Sequence, residues 1–159
     1  MNEVTIRQVS VNELDKLMTW RMEVLSEVFT IPYGTDTSAL EQANRNYYLH
    51  ALPAGEHIAC FAEIGEKTVG CGGICLQHEM PSPDNPTGQC AYLMNIYVRP
   101  AYRKQHIGTT IVLWLVGRAR NLGIGKIYLE TSDMGRKMYQ HLHFEEMKDM
   151  LKLHLCQKQ

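Results

Sequence analysis

The chain has 159 residues, of which 45% are hydrophobic, enough to build a core without disulfide or metal staples, so one domain over residues 1–159 is expected. With 16 basic and 17 acidic residues the formal charge is −1, which excludes a global field that would draw the chain to nucleic acid or an anionic membrane. The most apolar run, Ile111 to Val116, is too short to cross a bilayer, and the polar start from Met1 to Val11 has no signal-peptide core; with Cys60, Cys71, Cys75, Cys90 and Cys156 lacking paired spacing and reading as free thiols, a cytoplasmic, metal-free protein is expected.

Val4, Ile6 and Val9 alternate with polar residues as a short strand does, and Leu14, Leu17, Met18, Arg21, Val24, Leu25 and Val28 then follow a helical period, so a first helix is expected from Val11 to Phe29. Ser10 and Glu13 have the spacing of a capping box at its start, with Val9 and Leu14 as a hydrophobic staple. Ile31-Pro32-Tyr33-Gly34 breaks the chain. Ser38 and Glu41 offer a second capping box, before an amphipathic helix expected to end ahead of Pro53. From His57 the texture becomes that of a β-hairpin, His57 to Ile64 and Thr68 to His78 about a turn at Gly65-Glu66-Lys67. Glycines 70, 72 and 73 predict a bulge or a close backbone approach.

Pro81, Pro83, Asp84, Asn85, Pro86 and Gly88 mark an irregular exposed loop, followed by Gln89 to Val98, apolar on both faces like a central strand. A helix from about Gly108 to Leu122 stops at Gly123, Lys126 to Thr131 is a strand and Asp133 to Leu142 a short helix. At the C-terminus Leu151, Leu153 and Leu155 alternate with Lys152, His154 and Cys156, the pattern of a half-buried strand. The expected class is α/β: a mixed, mainly antiparallel twisted sheet of about six or seven strands flanked by about four helices.

The chemistry sits at one junction. A strand through Ile96-Tyr97-Val98, a turn at Arg99-Pro100 and a loop Arg103-Lys104-Gln105-His106-Ile107-Gly108-Thr109 open an apolar helix. Successive amides at a helix start hold an anion such as a pyrophosphate, Gly108 lets it approach the backbone, and Arg103 and Lys104 add positive charge. This junction resembles the GNAT acetyltransferase pattern V-x-P-x-x-R-x-x-G-x-G/A, with His106 in place of the first glycine. Downstream, Tyr139-Gln140-His141-Leu142-His143-Phe144 resembles the family's Y-x-x-L-G-F, with His143 in place of the glycine. The two matches lie in the expected order and spacing over about the C-terminal third.

The resemblance implies a GNAT-like fold and direct transfer of an acetyl group from acetyl-CoA to a primary amine in a ternary complex. Acetyl-CoA would lie along the strand Asn95 to Val98, with Ile96, Tyr97, Val98, Arg103, Lys104, Gln105, His106, Ile107, Gly108, Thr109, Ser132 and Tyr139 as contacts. Amides near Ile96 and Tyr97 would hold the oxyanion and Tyr139 would protonate the leaving thiolate. Asn95 cannot deprotonate the amine, which leaves Glu23, Glu27, His78, Glu79 and Glu130 as candidate bases. The acceptor groove is expected between Phe29–Asp36 and His78–Gly88, with Glu27, Tyr33, Asn95, Asp36, Glu79 and Asp84 around a small cationic amine. A non-catalytic CoA-binding module and acetylation of a protein amine are the alternatives; dimers are common in the family, so the resemblance is compatible with a homodimer, though no residue of the sequence establishes one. Gly70-Cys71-Gly72-Gly73 lacks the final glycine and the following helix of a dinucleotide fingerprint, which sets an oxidoreductase aside.

Overall fold

The structure is a computed structural model and describes residues 3–155; the expectations for Cys156 lie outside them. β1 (Val4–Val9) leads through a 3-10 turn into α1 (Leu14–Val28) and α2 (Ser38–Ala54). β2 (His57–Ile64), β3 (Lys67–His78) and β4 (Gln89–Val98) form a meander, and α3 (Ile107–Asn121), β5 (Lys126–Leu129) and α4 (Asp133–His141) complete the described elements. The strands make one sheet in the order β1-β2-β3-β4-β5, antiparallel except for the parallel pair β4 and β5. That pair is joined through α3, as a parallel pair requires a crossover.

Each face of the sheet carries its own core. On one, Ile107, Ile111, Val112 and Leu115 of α3 pack with Cys60, Ile74, Ala91 and Leu93 of the sheet; each such side chain contributes on the order of 2 kcal/mol when removed from water. On the other, Leu17, Trp20 and Val24 of α1 and Tyr48 of α2 pack against Phe61, Cys71 and Tyr97. The glycine run of β3 serves both a bulge and a close approach. A Cβ on Gly72 would come within 2.5 Å of Ile111 and 2.9 Å of Ile96, and the β3–β4 register shifts between Cys71 and Gly73.

Three expectations are corrected. The described sheet has five strands, fewer than the expected six or seven, because residues 151–155 form no strand. Leu151, Leu153 and Leu155 are 100%, 81% and 85% exposed, and alternation produces a strand only when one face has a surface to pack on. The Ser10–Glu13 capping box does not form, since Glu13 is claimed by a bidentate bond from Arg7 (2.7 and 2.8 Å). α2 continues past Pro53 to Ala54, where the amides of Gly55 and Glu56 close its last turn on Leu52 and Ala51.

Candidate active site

β4 and β5 pair from Cys90–Lys126 to Leu93–Leu129 and no further, whereas β4 continues to Val98. The two strands therefore part in a V. At the apex β4 is bulged: Asn95 has φ +59°, and the register shift opposite it marks the extra residue. Beyond the bulge the Arg99 amide donates to Val69 O at 3.0 Å, toward β3. Amide directions alternate along a strand, so Tyr97 N also faces β3 while Ile96 N and Val98 N face the open edge. Of the amides expected at the oxyanion, that of Tyr97 thus faces β3 and that of Ile96 the open edge, which Val98 N shares.

The loop that follows ends at the α3 N-terminus. Lys104 and His106 both have left-handed backbone, φ +63° and +61°, which turns the chain sharply before the helix. The first internal helix bond runs from Thr110 N to His106 O at 3.0 Å, so the amides of Ile107, Gly108 and Thr109 have no carbonyl to meet inside the helix. They point as a set out of the helix start, where the macrodipole favours negative charge. An added Cβ at Gly108 would meet Met138 Sδ at 3.3 Å, so glycine also sets the spacing between α3 and α4. The Ile107 side chain is buried in the core, while Gln105 and Lys104 are exposed. Arg103 turns away from the cradle: its Nε donates to Val98 O at 2.8 Å and its Nη2 to Glu27.

Tyr139 stands on α4, its ring in the α3-side core and 9% exposed. Burial pushes its pKa up to about 12, which keeps the hydroxyl protonated at neutral pH, and that hydroxyl has no hydrogen-bond partner among the described residues. Ser132 caps the same helix, its Oγ accepting from Gly135 N at 3.4 Å. The Ser132 hydroxyl accepts at this cap and keeps its own O–H to donate.

The carboxylates proposed as bases are all engaged. Glu23 accepts from Arg99 Nε and Nη2 (3.0 and 2.8 Å) and from the Tyr97 hydroxyl; Glu27 accepts from the Tyr97 hydroxyl (2.7 Å) and from Arg103. The Arg99 guanidinium holds Glu23 below the usual carboxylate range, and the Tyr97 hydroxyl with Arg103 does the same to Glu27. Glu130 is exposed, held by the Tyr92 hydroxyl (2.9 Å) and Lys152. Glu79 pairs with Lys126 at 3.1 Å, just past His78, which lies opposite Gln89 in the register. At about 3.3 Å per residue that end of β4 is roughly 20 Å from Asn95. His78 and Glu79 are therefore not brought to the V, and Tyr33 is fully exposed on the α1–α2 connection.

What the structure does bring to Asn95 is a cavity of about 190 Å³ lined by Arg21, Asn44, Tyr47, Tyr48, His57, Cys75, Met94 and Asn95. It lies between α1, α2 and the sheet, away from the expected walls at Phe29–Asp36 and His78–Gly88. Arg21 Nη1 donates to Asn95 Oδ1 and its Nε to Asn44 Oδ1, both at 2.9 Å. The Tyr47 hydroxyl sits 3.0 Å from His57 Nδ1 and 3.1 Å from Cys75 Sγ. Burial lowers the His57 pKa to about 4 and raises that of Cys75. Sequence reading passed over this set because Arg21 fell within an amphipathic helix and His57 and Cys75 within strand patterns. Asn95, expected beside the acceptor, is the member of this lining that the sequence pointed to. A larger cavity of about 390 Å³ by β1 and α2 includes His57 but none of the β4 residues.

Among the described residues no group of His, Cys, Asp and Glu converges as a metal site, and no helix is long and apolar enough to cross a membrane. The model of the acetyltransferase (GNAT) family matches residues 14–144. A crystal structure of a predicted acetyltransferase with acetyl-CoA from Clostridium acetobutylicum is similar, with 24% identity, coverage of 96% of this chain and 97% of that one, and a TM-score of 0.85. A GCN5-related N-acetyltransferase from Ralstonia eutropha has 21% identity, coverage of 95% and 98%, and a TM-score of 0.80. An aminoglycoside acetyltransferase from an uncultured soil metagenomic sample, in complex with sisomicin, has 14% identity, coverage of 96% and 97%, and a TM-score of 0.70. At these identities the likeness is one of fold. No curated protein matches the chain.

Proposed function

Since the chain belongs to the acetyltransferase (GNAT) family, we propose that it is an acetyl-CoA-dependent N-acetyltransferase acting on a primary amine of a small molecule, by direct attack in a ternary complex. The carrying observation is the V between β4 and β5, with the bulge at Asn95 at its apex. An acyl thioester laid along the unpaired edge of β4 extends that edge as a strand would, within reach of the Ile96 and Val98 amides. Those amides donate to the thioester oxygen and hold the negative charge it gains in the tetrahedral intermediate.

The pyrophosphate is received by the amides of Ile107, Gly108 and Thr109, with the loop Lys104 to His106 shaping the approach. Arg103 serves the cradle indirectly, locking the β4 end to the loop through Val98 O and to α1 through Glu27. Tyr139, kept protonated by burial, gives its proton to the CoA thiolate as the carbon–sulfur bond breaks. An amine with a pKa near ~10 must shed a proton first. With the carboxylates of the site all bound to cations or tyrosine hydroxyls, that proton leaves through water at the mouth of the cavity. The thiols Cys60, Cys71, Cys75 and Cys90 are free, which supports a reducing, cytoplasmic setting for a single acetyltransferase domain.

The test is release of CoA thiol from acetyl-CoA with a panel of small amines, alongside CoA binding by calorimetry. Amine-dependent thiol release at rates well above thioester hydrolysis supports the reading. Tight CoA binding with no amine-dependent release across the panel replaces the enzyme by a CoA-binding module.

A further inference from the structure

Resting on the acetyl-transfer reading, we propose that the acceptor is a small amine that also carries an oxyanion, a carboxylate or phosphate, bound by Arg21 in the cavity beside Asn95. Arg21 is the one formally charged side chain among the cavity's lining residues. Both of its hydrogen-bond partners, Asn44 Oδ1 and Asn95 Oδ1, are neutral amide oxygens. They fix the plane of the guanidinium without cancelling its charge. Nη2 has no partner among the described residues, so its N–H groups remain to donate to an oxyanion.

The neighbouring charges do not offset Arg21. On its own helix Glu23 is bound to Arg99 and Glu27 to Arg103. The remaining walls are neutral at pH 7: Tyr47, Tyr48, His57 and Cys75 all sit where burial opposes their charged forms. The Arg21 charge itself adds to the lowering at His57. A polycation entering here meets a fixed positive charge and no carboxylate among the lining residues, whereas an oxyanion meets a preorganised partner. This reverses the expectation of acidic residues around a cationic acceptor.

Position sets the size of the acceptor. Arg21 is one hydrogen bond from Asn95, and Asn95 precedes Ile96, whose amide faces the reacting thioester. Anion and attacking nitrogen are therefore a few bonds apart, as in an amino acid or a short amino phosphate. A cavity of about 190 Å³ accommodates a molecule of that class.

The experiment compares matched pairs, alanine with alaninamide and phosphoethanolamine with ethanolamine, and adds spermidine, reading kcat/KM by CoA thiol release. The carboxylate and phosphate pairs distinguish the two oxyanions. At least one oxyanion-bearing member is expected to exceed its partner that lacks the oxyanion, and spermidine, by about 10²-fold. Arg21→Gln is expected to bring that ratio near one, chiefly through KM, and Arg21→Lys to retain a preference above about tenfold, with CoA affinity unchanged in both. Preference for spermidine or for the partners that lack the oxyanion overturns the inference, as does a ratio that survives in Arg21→Gln. If no amine is turned over, the acetyl-transfer reading fails separately. Calorimetric titration of the same pairs into the CoA complex then decides: anion-selective heat lost in Arg21→Gln upholds the Arg21 site, and equal or absent heat for all members overturns it.

Discussion

Phe144 packs edge-on against Tyr139, ring centroids 5.6 Å apart and planes at 76°, while its amide donates to the Tyr139 carbonyl at 3.0 Å. With His143 N bonded to Gln140 O at 3.0 Å, this is a Schellman ending of α4, complete with its apolar contact between the residue after the cap and the last turn. The segment Tyr139 to Phe144 is thus one device in which the helix ending clamps the ring of the proposed general acid.

Replacing Tyr139 with Phe removes the hydroxyl and leaves that clamp intact. The expected outcome is a fall in kcat of about 10²-fold, with CoA affinity and melting temperature near those of the wild type, the signature of losing a proton donor and nothing else. Single-turnover thiol release and CoA calorimetry measure the two quantities. Undiminished kcat takes Tyr139 out of the reaction.

Gly108 tests the cradle, and because Met138 lies near any side chain added there, the test calls for a control. Gly108→Ala needs only a small shift of the flexible Met138 side chain, 3.3 Å from the added carbon, so CoA binding is expected to weaken less than tenfold. Gly108→Asp adds a negative charge beside amides that would hold a pyrophosphate, and a loss above about 10²-fold is expected. Equal losses in the two variants assign the effect to packing alone.

Acid stability follows from the ion pairs that tie α1 to the β4 end. The folded-state pKa values of Glu23 and Glu27 are depressed, Glu23 chiefly by Arg99 and Glu27 chiefly by the Tyr97 hydroxyl and Arg103. Their contribution is therefore complete above the ordinary carboxylate pKa of about 4.3 and is lost as pH falls through the lower folded values. Arg99 also lies over the Trp20 ring at 4.1 Å, so breaking its pair disturbs packing. Glu23→Gln is expected to lower the melting temperature at pH 7 by a few degrees, the scale of about 1 kcal/mol. Between pH 5 and pH 3 the variant should then lose less stability than the wild type. Parallel acid limbs in thermal melts would show that Glu23 does not titrate with folding.

The strand and helix pattern was legible because its elements carry long apolar periods; β4 was anticipated at its observed limits, Gln89–Val98. The strand-to-helix junction before α3 and the short helix that carries Tyr139 were legible because their geometry is local, a matter of adjacent amides and a helix ending. Arg21, Asn44 and His57 were not, because they meet only through tertiary folding of α1, α2 and β2 onto Asn95. The fate of the carboxylates was hidden for the same reason. Glu27 reads as a free acid until Arg103, 76 positions away, is seen to hold it. The C-terminal leucines misled through a local pattern that no surface completes.

Histidines stand at two positions where the family pattern has glycine. His106 and His143 have φ +61° and +65°, a left-handed conformation that costs an L-residue roughly 1–2 kcal/mol and glycine almost nothing. Glycine in turn returns roughly 0.5–1 kcal/mol of entropy to the unfolded chain, so the two effects oppose each other with the strain the larger. His143→Gly is expected to raise stability by up to about 1 kcal/mol and leave turnover unchanged, since the exposed His143 side chain takes no part in the Tyr139–Phe144 contact. His143→Val carries the full β-branched penalty at positive φ and is expected to lower stability by at least 1 kcal/mol, loosening the clamp and reducing kcat with it. Urea melts of the three proteins, with kcat measured on each, check the order Gly, His, Val; a variant with valine as stable as the wild type would mean that the left-handed turn is not held in solution.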